Sequence, residues 1–421
     1  MDDYKAIETL KEAFANDRIT LIGSEGFEKI NKFYLSLLQS DLTPAAIFLP
    51  QSKTEVAKFV RLIRPFALHG GVQFAVCNGL GDGTLSIGVG ERWGSVYKKL
   101  TEERLGVTGS RSALRGIGGL ASSGRLSFFS SQEGFICDNV VNYEVVTANG
   151  EIINANANEN SDLWRTLRRE ENSFGIVKRF DLKTFKQGPF WGGAAYCDEL
   201  HKPEASEETH IMVSQGYGGV FAEFGGHFCM NQLYYPGDVK KPKVLEPFVS
   251  VQPQIDPTKS MRMLNLKDAA NEQAQQSSNA VRCVYMSTTA KADAVTSLEG
   301  LTCAFTLQTY PMSLLKKCEN SLGLDESNGP LISILLLNWW KNKDYDDVIV
   351  QTFQTALEKT NEDAASRGTS VPYKFTIYAY SFQNPTASYG KENHEKLREA
   401  RKAYDPNGLF QKGVPGGFKL A

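Results

Sequence analysis

Gln73-Phe-Ala-Val-Cys77-Asn-Gly-Leu-Gly-Asp-Gly83 decides how the first half of the chain is read. A short apolar run closed by a glycine cluster predicts a buried strand over 73–77 that opens into a glycine loop over 78–83. Just upstream, Ala46-Ile-Phe-Leu-Pro50 reads as another buried strand stopped by proline, and Ser52 with Glu55 three residues on predicts a capped helix running to Ile63. Strand, helix, strand and glycine loop in that order describe a ligand-binding α/β unit. Further back, Ile7, Leu10 and Phe14, then Ile30, Phe33, Tyr34 and Leu37, recur at helical spacing on either side of a break at Gly23 and Gly26, so helix, short strand and helix are expected.

Downstream the glycines stay dense as far as Gly134, with Gly88-Val-Gly90 and Gly116-Ile-Gly-Gly119 among them, as close backbone approach or positive φ requires. Residues 139–147, the Ala148-Asn-Gly150 turn and residues 151–153 predict a β-hairpin, and 161–167 a short helix. The character changes after Gly188: strands are expected at 226–235, 282–289, 331–337 and 373–382, and helices near 291–298, 344–360 and 393–403. A second domain of sheet plus helices therefore begins near residue 188, and a helical tail follows about residue 385.

Composition limits what such a chain can do. The 421 residues are 41% hydrophobic and 22% charged, enough apolar content for folded domains rather than disorder. With 46 basic against 48 acidic side chains the net charge is −2, which supplies no field for a polyphosphate and excludes nucleic acid as the expected partner. The longest apolar run, 331–337, is far short of the roughly 18 residues of a membrane helix, so no membrane partner is expected. Asp2, Asp3 and Glu8 occupy a start that lacks the basic and apolar stretches of a signal peptide, and the closest pair among the seven cysteines is fifteen residues apart. Free thiols in a cytoplasmic protein, with no CxxC metal or redox pair, are the expectation; the oligomeric state stays open.

Three motifs invite a functional reading. Gly116-Ile-Gly118-Gly-Leu-Ala121, with Asp138 downstream, matches the dinucleotide pattern, but residues 109–115 before it do not read as a strand. His227 and Cys229 sit two apart on an expected strand with no third ligand nearby, so no metal site is expected. Tyr378, Tyr380 and Phe382 alternate, placing Tyr378 and Tyr380 on one face, either as core or as the lining of a substrate pocket.

Taken together, several segments resemble the FAD-linked oxidases of the berberine bridge enzyme type, in the vanillyl-alcohol oxidase superfamily, and especially their fungal secondary-metabolism members. The resemblance spans nearly the whole chain: Pro50-Gln-Ser-Lys-Thr-Glu-Val56, Gly88-Val-Gly-Glu-Arg-Trp-Gly-Ser-Val-Tyr97, Gly116-Ile-Gly-Gly-Leu120, Cys137-Asp-Asn-Val-Val-Asn-Tyr-Glu-Val-Val146, Asp162-Leu-Trp164, Phe174-Gly-Ile-Val177, Tyr404-Asp-Pro406 and the run from Phe410 to Leu420. It implies an α+β, bilobed fold: a PCMH-type FAD-binding domain over 1–187, an antiparallel-sheet substrate domain covered by helices over 188–384, and a segment 385–421 returning to the flavin domain. It implies hydride transfer from a small-molecule metabolite to FAD, with dioxygen as reoxidant. Gly79, Gly81, Gly118, Gly119, Ser122, Asn139, Val140, Phe174, Gly175 and Val177 would then bind the cofactor, and Tyr378 and Tyr380 would orient substrate or act as acid and base.

The departures from the family pattern matter as well. Where members show Arg-Gly-Gly-Gly-His, this chain reads Cys77-Asn-Gly-Leu-Gly81, so Gly81 replaces the flavin-linking histidine; no cysteine lies between 78 and 136 to form a second link. The strand and turn normally following are missing near 83–85. Arg125, and Arg169-Glu-Glu171, replace glycines, at about 1 to 2 kcal/mol each if those positions need left-handed backbone. FAD held without a covalent link is the first expectation. Loss of FAD, with the scaffold serving a non-redox cyclase, isomerase or pericyclase, is the alternative; Arg125, Arg168 or Arg169 would then pair with Glu170 or Glu171 and plug the vacated pyrophosphate groove.

Overall fold

The computed structural model describes the chain except for residues 1, 32–36, 42, 67–77, 82, 123, 169–172, 198–206, 219–226, 253, 255–258, 276–280, 287–301, 319–321, 414–416 and 421. The strand expected at 73–77 and the helix expected near 291–298 fall outside the described residues.

The N-terminal part follows its apolar spacing: helix Asp2–Ala13, strand β1 (Ile19–Leu21), helix Glu25–Asn31 and strand β2 (Ala46–Phe48), antiparallel to β1. Ser52 caps helix Lys53–Ile63, its hydroxyl accepting from the Glu55 N–H at 3.1 Å, while the Glu55 carboxylate accepts from the Gln51 N–H at 2.6 Å. The buried face of that helix, Val56, Phe59 and Val60, packs with Leu10, Phe14 and Phe48.

The first lobe is built on β3 (Asn78–Gly81), β4 (Thr84–Gly88), β5 (Leu105–Val107), β6 (Val140–Val146), β7 (Ile152–Asn156) and β8 (Ile176–Lys186), ordered β3-β4-β8-β6-β7 with β5 also on β8. The glycine loop expected over 78–83 is instead a hairpin. Gly79 and Gly81 are strand residues, paired with Ser86 and Thr84, and the chain reverses at Gly83 with φ +68°. A ladder satisfies the backbone groups that a loop would leave to a ligand, and glycine supplies the positive φ of the reversal. The hairpin expected at 139–153 is β6 and β7, turning through Gly150 at φ +77°.

The second lobe carries β9 (Phe190–Cys197), β10 (His210–Gly218), β11 (His227–Tyr235), β12 (Arg262–Leu264), β13 (Arg282–Met286), β14 (Thr302–Tyr310) and β15 (Leu331–Trp340), ordered β12-β9-β11-β10-β14-β15-β13, every pair antiparallel. Alternation along the strands gives this sheet two faces. On one, Val213, Leu233 and Trp191 meet Phe248, while Leu336 and Trp340 meet Ile349 and Phe353 of helix Asp346–Ser366. On the other, Met212 lies opposite Gln308 and Ser214 opposite Thr306, toward the first lobe. Aromatic contacts join the lobes: Phe128 to Tyr234 at 4.5 Å and Phe135 to Tyr310 at 5.8 Å between ring centroids.

Residues 373–382 are not the strand that their alternation predicts. A 3₁₀ turn occupies Thr376–Tyr378, and the backbone bonds locally, Tyr378 N–H to Phe375 O at 3.0 Å and Gln383 N–H to Tyr380 O at 2.8 Å. Beyond it, helix Lys391–Tyr404 places the Tyr404 hydroxyl 2.9 Å from the Asp162 carboxylate. The buried Asp405 carboxylate accepts from the N–H groups of Leu409, Phe410 and Gln411, and the Gln411 amide donates to Ser173 O at 3.2 Å. The C-terminal segment is thereby fastened to the first lobe.

Candidate active site

Arg111 crosses from the first lobe to the polar face of the second-lobe sheet. Its Nη1 donates to His210 Nε2 at 3.0 Å and to Gln308 Oε1 at 3.3 Å and contacts Met212 Sδ; its Nη2 donates to the Tyr378 hydroxyl at 2.9 Å. The loop carrying it is held at several points. Tyr97 donates to Ser110 O at 2.5 Å, the Gly94 N–H to Ala113 O at 2.9 Å, and the Ala113 N–H to Ala270 O at 3.0 Å. Gly109 permits this, since a Cβ there would fall 2.2 Å from the Trp93 ring. The guanidinium is thus pre-positioned by helix Trp93–Glu102 and by helix Leu266–Gln275 of the other lobe.

Because a guanidinium only donates, His210 Nε2 is an acceptor and the imidazole is neutral. Burial, and then the Arg111 charge, push the His210 pKa well below 6.5. Burial also raises the Tyr234, Tyr285 and Tyr310 phenols, keeping them protonated. Burial chiefly, and then the charge of Arg115, lower the Arg92 pKa.

The His210 shift carries a pH prediction. An unfolded chain takes up a proton near pH 6.5 that the folded chain refuses; stability is complete above that pH and falls below it, by up to ~1.4 kcal/mol per pH unit. Denaturant midpoints at about pH 7.5 and about pH 5.5 should separate in the wild type and draw together in His210→Gln. Equal separation in both would refute the assignment.

The residues nominated from sequence divide. Tyr378 belongs to the cluster, with its ring 4.8 Å from Phe375 and 6.0 Å from Tyr285. Tyr380 does not: it packs with the helix-side group around Trp340 and Phe353, because the 3₁₀ turn rotates it away from the face that alternation predicts. Asn139 donates to the carbonyls of Glu133 and Phe135, Ser122 donates to Gly118 O, and Val140 O accepts from the Trp164 indole. Phe174 and Val177 are core residues. A Cβ on Gly118 would meet Val89 Cγ2 at 2.6 Å, whereas one on Gly119 would meet nothing within 4 Å. Among the described residues no group of three or more His, Cys, Asp or Glu could hold a metal. Arg111 itself escapes sequence reading; its one signal is a lone long cation in the small-residue run Gly109-Ser-Arg-Ser-Ala113.

Two features suit a bound anion such as the FAD pyrophosphate. Arg168 is 3% exposed, its guanidinium 3.7 Å over the Trp164 ring, and among the described residues it has no carboxylate partner and its Nε no acceptor. Gly119, in the same lobe, leaves space within 4 Å of where a Cβ would stand. The Arg125 replacement costs less than the motif implies, since the left-handed position of its cluster is Gly124, φ +66°, and Arg125 has no positive φ. Glu170 and Glu171 lie outside the described residues.

Solved oxidases share this fold. The structure superposes on 6-hydroxy-D-nicotine oxidase from Arthrobacter nicotinovorans with TM-score 0.71 at 16% identity, covering 94% of this chain and 96% of that one. It matches xylooligosaccharide oxidase from Myceliophthora thermophila with TM-score 0.74 at 18% identity, covering 99% of each. Residues 74–156 match the FAD binding domain family. In sequence the chain is 31% identical to an FAD-dependent monooxygenase of Cochliobolus heterostrophus, over 91% of this chain and 86% of that protein. It is also 31% identical to an FAD-dependent monooxygenase of Fusarium proliferatum, over 99% and 92%. The chain belongs to the family of these fungal FAD-dependent monooxygenases, FAD-linked oxidoreductases, and shares its fold with berberine bridge enzyme, TM-score 0.69 at 14% identity. No helix among the described residues is long and apolar enough to cross a membrane.

Proposed function

We propose that the protein oxidises a small secondary metabolite held between the lobes, using FAD bound without a covalent link and dioxygen as reoxidant. The observation carrying this reading is the Arg111 cluster, a pre-positioned cation with Tyr378, His210 and Gln308 at the junction where a substrate would meet both lobes. Backbone at Gly118 and Gly119, with Arg168, would hold FAD, which supplies the hydride acceptor when bound. Asn139, Val140, Phe174, Gly175 and Val177 shape the wall behind it from the core. Arg111 and Tyr378 orient the substrate, and the neutral His210 accepts a hydrogen bond rather than donating charge. Gly81 in place of the linking histidine supports a dissociable flavin. The alignment to the Fusarium relative runs over 487 positions, longer than the 421-residue chain, so that relative carries residues that this chain lacks.

The visible spectrum of the purified protein tests this. Flavin bands should be present or restored by added FAD, should bleach with substrate and return in air, and should leave with the supernatant after denaturation. Bands retained on the denatured chain would overturn the non-covalent assignment; no FAD uptake on titration would remove the redox reading.

A further inference from the structure

Arg111 is surrounded by neutral groups. Its partners are an imidazole, an amide, a phenol and a thioether, and among the described residues no carboxylate pairs with it. A half-buried guanidinium in neutral company calls for an anion. Its contacts use Nη1 and one Nη2 proton, leaving the Nε–H and the second Nη2–H for a ligand. A second donor is orphaned beside it: the Gln308 side chain is 1% exposed, its Oε1 accepts from Arg111 and its Nε2 has no partner. The Tyr378 hydroxyl, accepting from Arg111, keeps its own proton to give.

The walls narrow the choice of anion. Tyr378 lies against Tyr285 and Phe375, and His210 is stacked with Tyr234 at 6.3 Å, so flat rings surround the cation. Such walls suit a planar conjugated body better than a sugar or an aliphatic acid.

We propose that Arg111, Gln308 and Tyr378 form a site for a delocalised oxygen anion, the phenolate or enolate of a planar conjugated substrate. The inference rests on the proposed function, because it names the substrate class of that site. Arg111 is the specificity-determining charge, and Gln308 and Tyr378 complete the donor set.

The test uses FAD-saturated protein and 4-nitrophenol as probe, since its phenolate absorbs where its phenol does not. Wild type should raise the phenolate band of the bound probe at a pH where the free probe is mixed. Arg111→Met should weaken phenolate binding about 10- to 100-fold, as expected for loss of a charge-assisted hydrogen bond. Gln308→Leu and Tyr378→Phe should each weaken it less while retaining FAD, which keeps the test informative if Arg111→Met fails to fold. Benzoate, a carboxylate on a similar ring, should compete poorly. Unchanged probe affinity in all three variants, or benzoate binding as tightly as the phenolate, overturns the inference. FAD affinity measured in parallel separates the two readings: normal FAD uptake with no phenolate response sinks this inference alone, and failure to take up FAD sinks the function beneath it.

Discussion

Arg282→Met is expected to lower stability by about 3 to 5 kcal/mol. Arg282 is 4% exposed on β13, the edge of the second-lobe sheet, and donates from Nε and Nη2 to both oxygens of Asp346, at 2.6 and 2.5 Å. Its Nη2 also reaches Asp41 at 2.8 Å, and the Trp340 indole donates to Asp346 at 2.7 Å. One guanidinium therefore ties the sheet edge, the start of helix Asp346–Ser366 and the N-terminal segment. The bonds to Asp346 chiefly raise the Arg282 pKa, as expected when the charged form is the partnered one. Removing the cation leaves Asp346 near the surface of the pair with only the indole, and that uncompensated carboxylate is the main source of the loss. Asp346→Leu added to Arg282→Met should recover part of it, because a buried pair replaced as a unit costs less than one broken in half. The urea midpoint is the measurement, and a shift worth less than about 0.5 kcal/mol for the single variant would mean that the network is ornamental.

The second large effect separates packing from cofactor contact at Gly175. A Cβ there would stand 2.6 Å from Val145 Cγ1 and 2.9 Å from Val146 O, both on β6. Val146 pairs with Ile176, so the clash falls on the first rung beside the substituted residue and cannot be relieved by one side chain turning. Gly175→Ala should cost about 1 to 3 kcal/mol of stability measured without FAD, with any fall in FAD affinity following from the altered strand. An unchanged unfolding midpoint together with lost FAD binding would instead make Gly175 a direct cofactor contact.

That contrast shows what was legible in the residues. Local signals read through: Ser52 and Glu55 marked a helix start, Ala148-Asn-Gly150 marked a turn, and the apolar run at 331–337 marked a strand. Two local signals misled. Tyr378-Ala-Tyr380-Ser-Phe382 has the period of a strand, yet its N–H groups bond within the turn, and alternation says nothing about whether a neighbouring strand has a free edge. The glycines at 79 and 81 looked like a ligand loop because glycine allows both a cradle and a tight hairpin, and only pairing with β4 decides between them. The cluster around Arg111 was hidden for another reason. Its partners are 99 to 267 residues away, and no window along the chain brings them together.

The clasp around Asp405 bears on how the protein is made. Ser173 receives Gln411 from 238 positions later, and Asp162 receives Tyr404 from 242 positions later. Closing such long loops is slow, and the ribosome delivers the chain from its N-terminal end. The first lobe must therefore wait, with β6 and β8 already synthesised, until the residues beyond Tyr404 have emerged. A lobe held unfinished for so long is a natural client for chaperones, and a stalled or truncated product would expose the apolar cluster of Val56, Phe59 and Val60 that Leu409 and Phe410 cover in the finished fold.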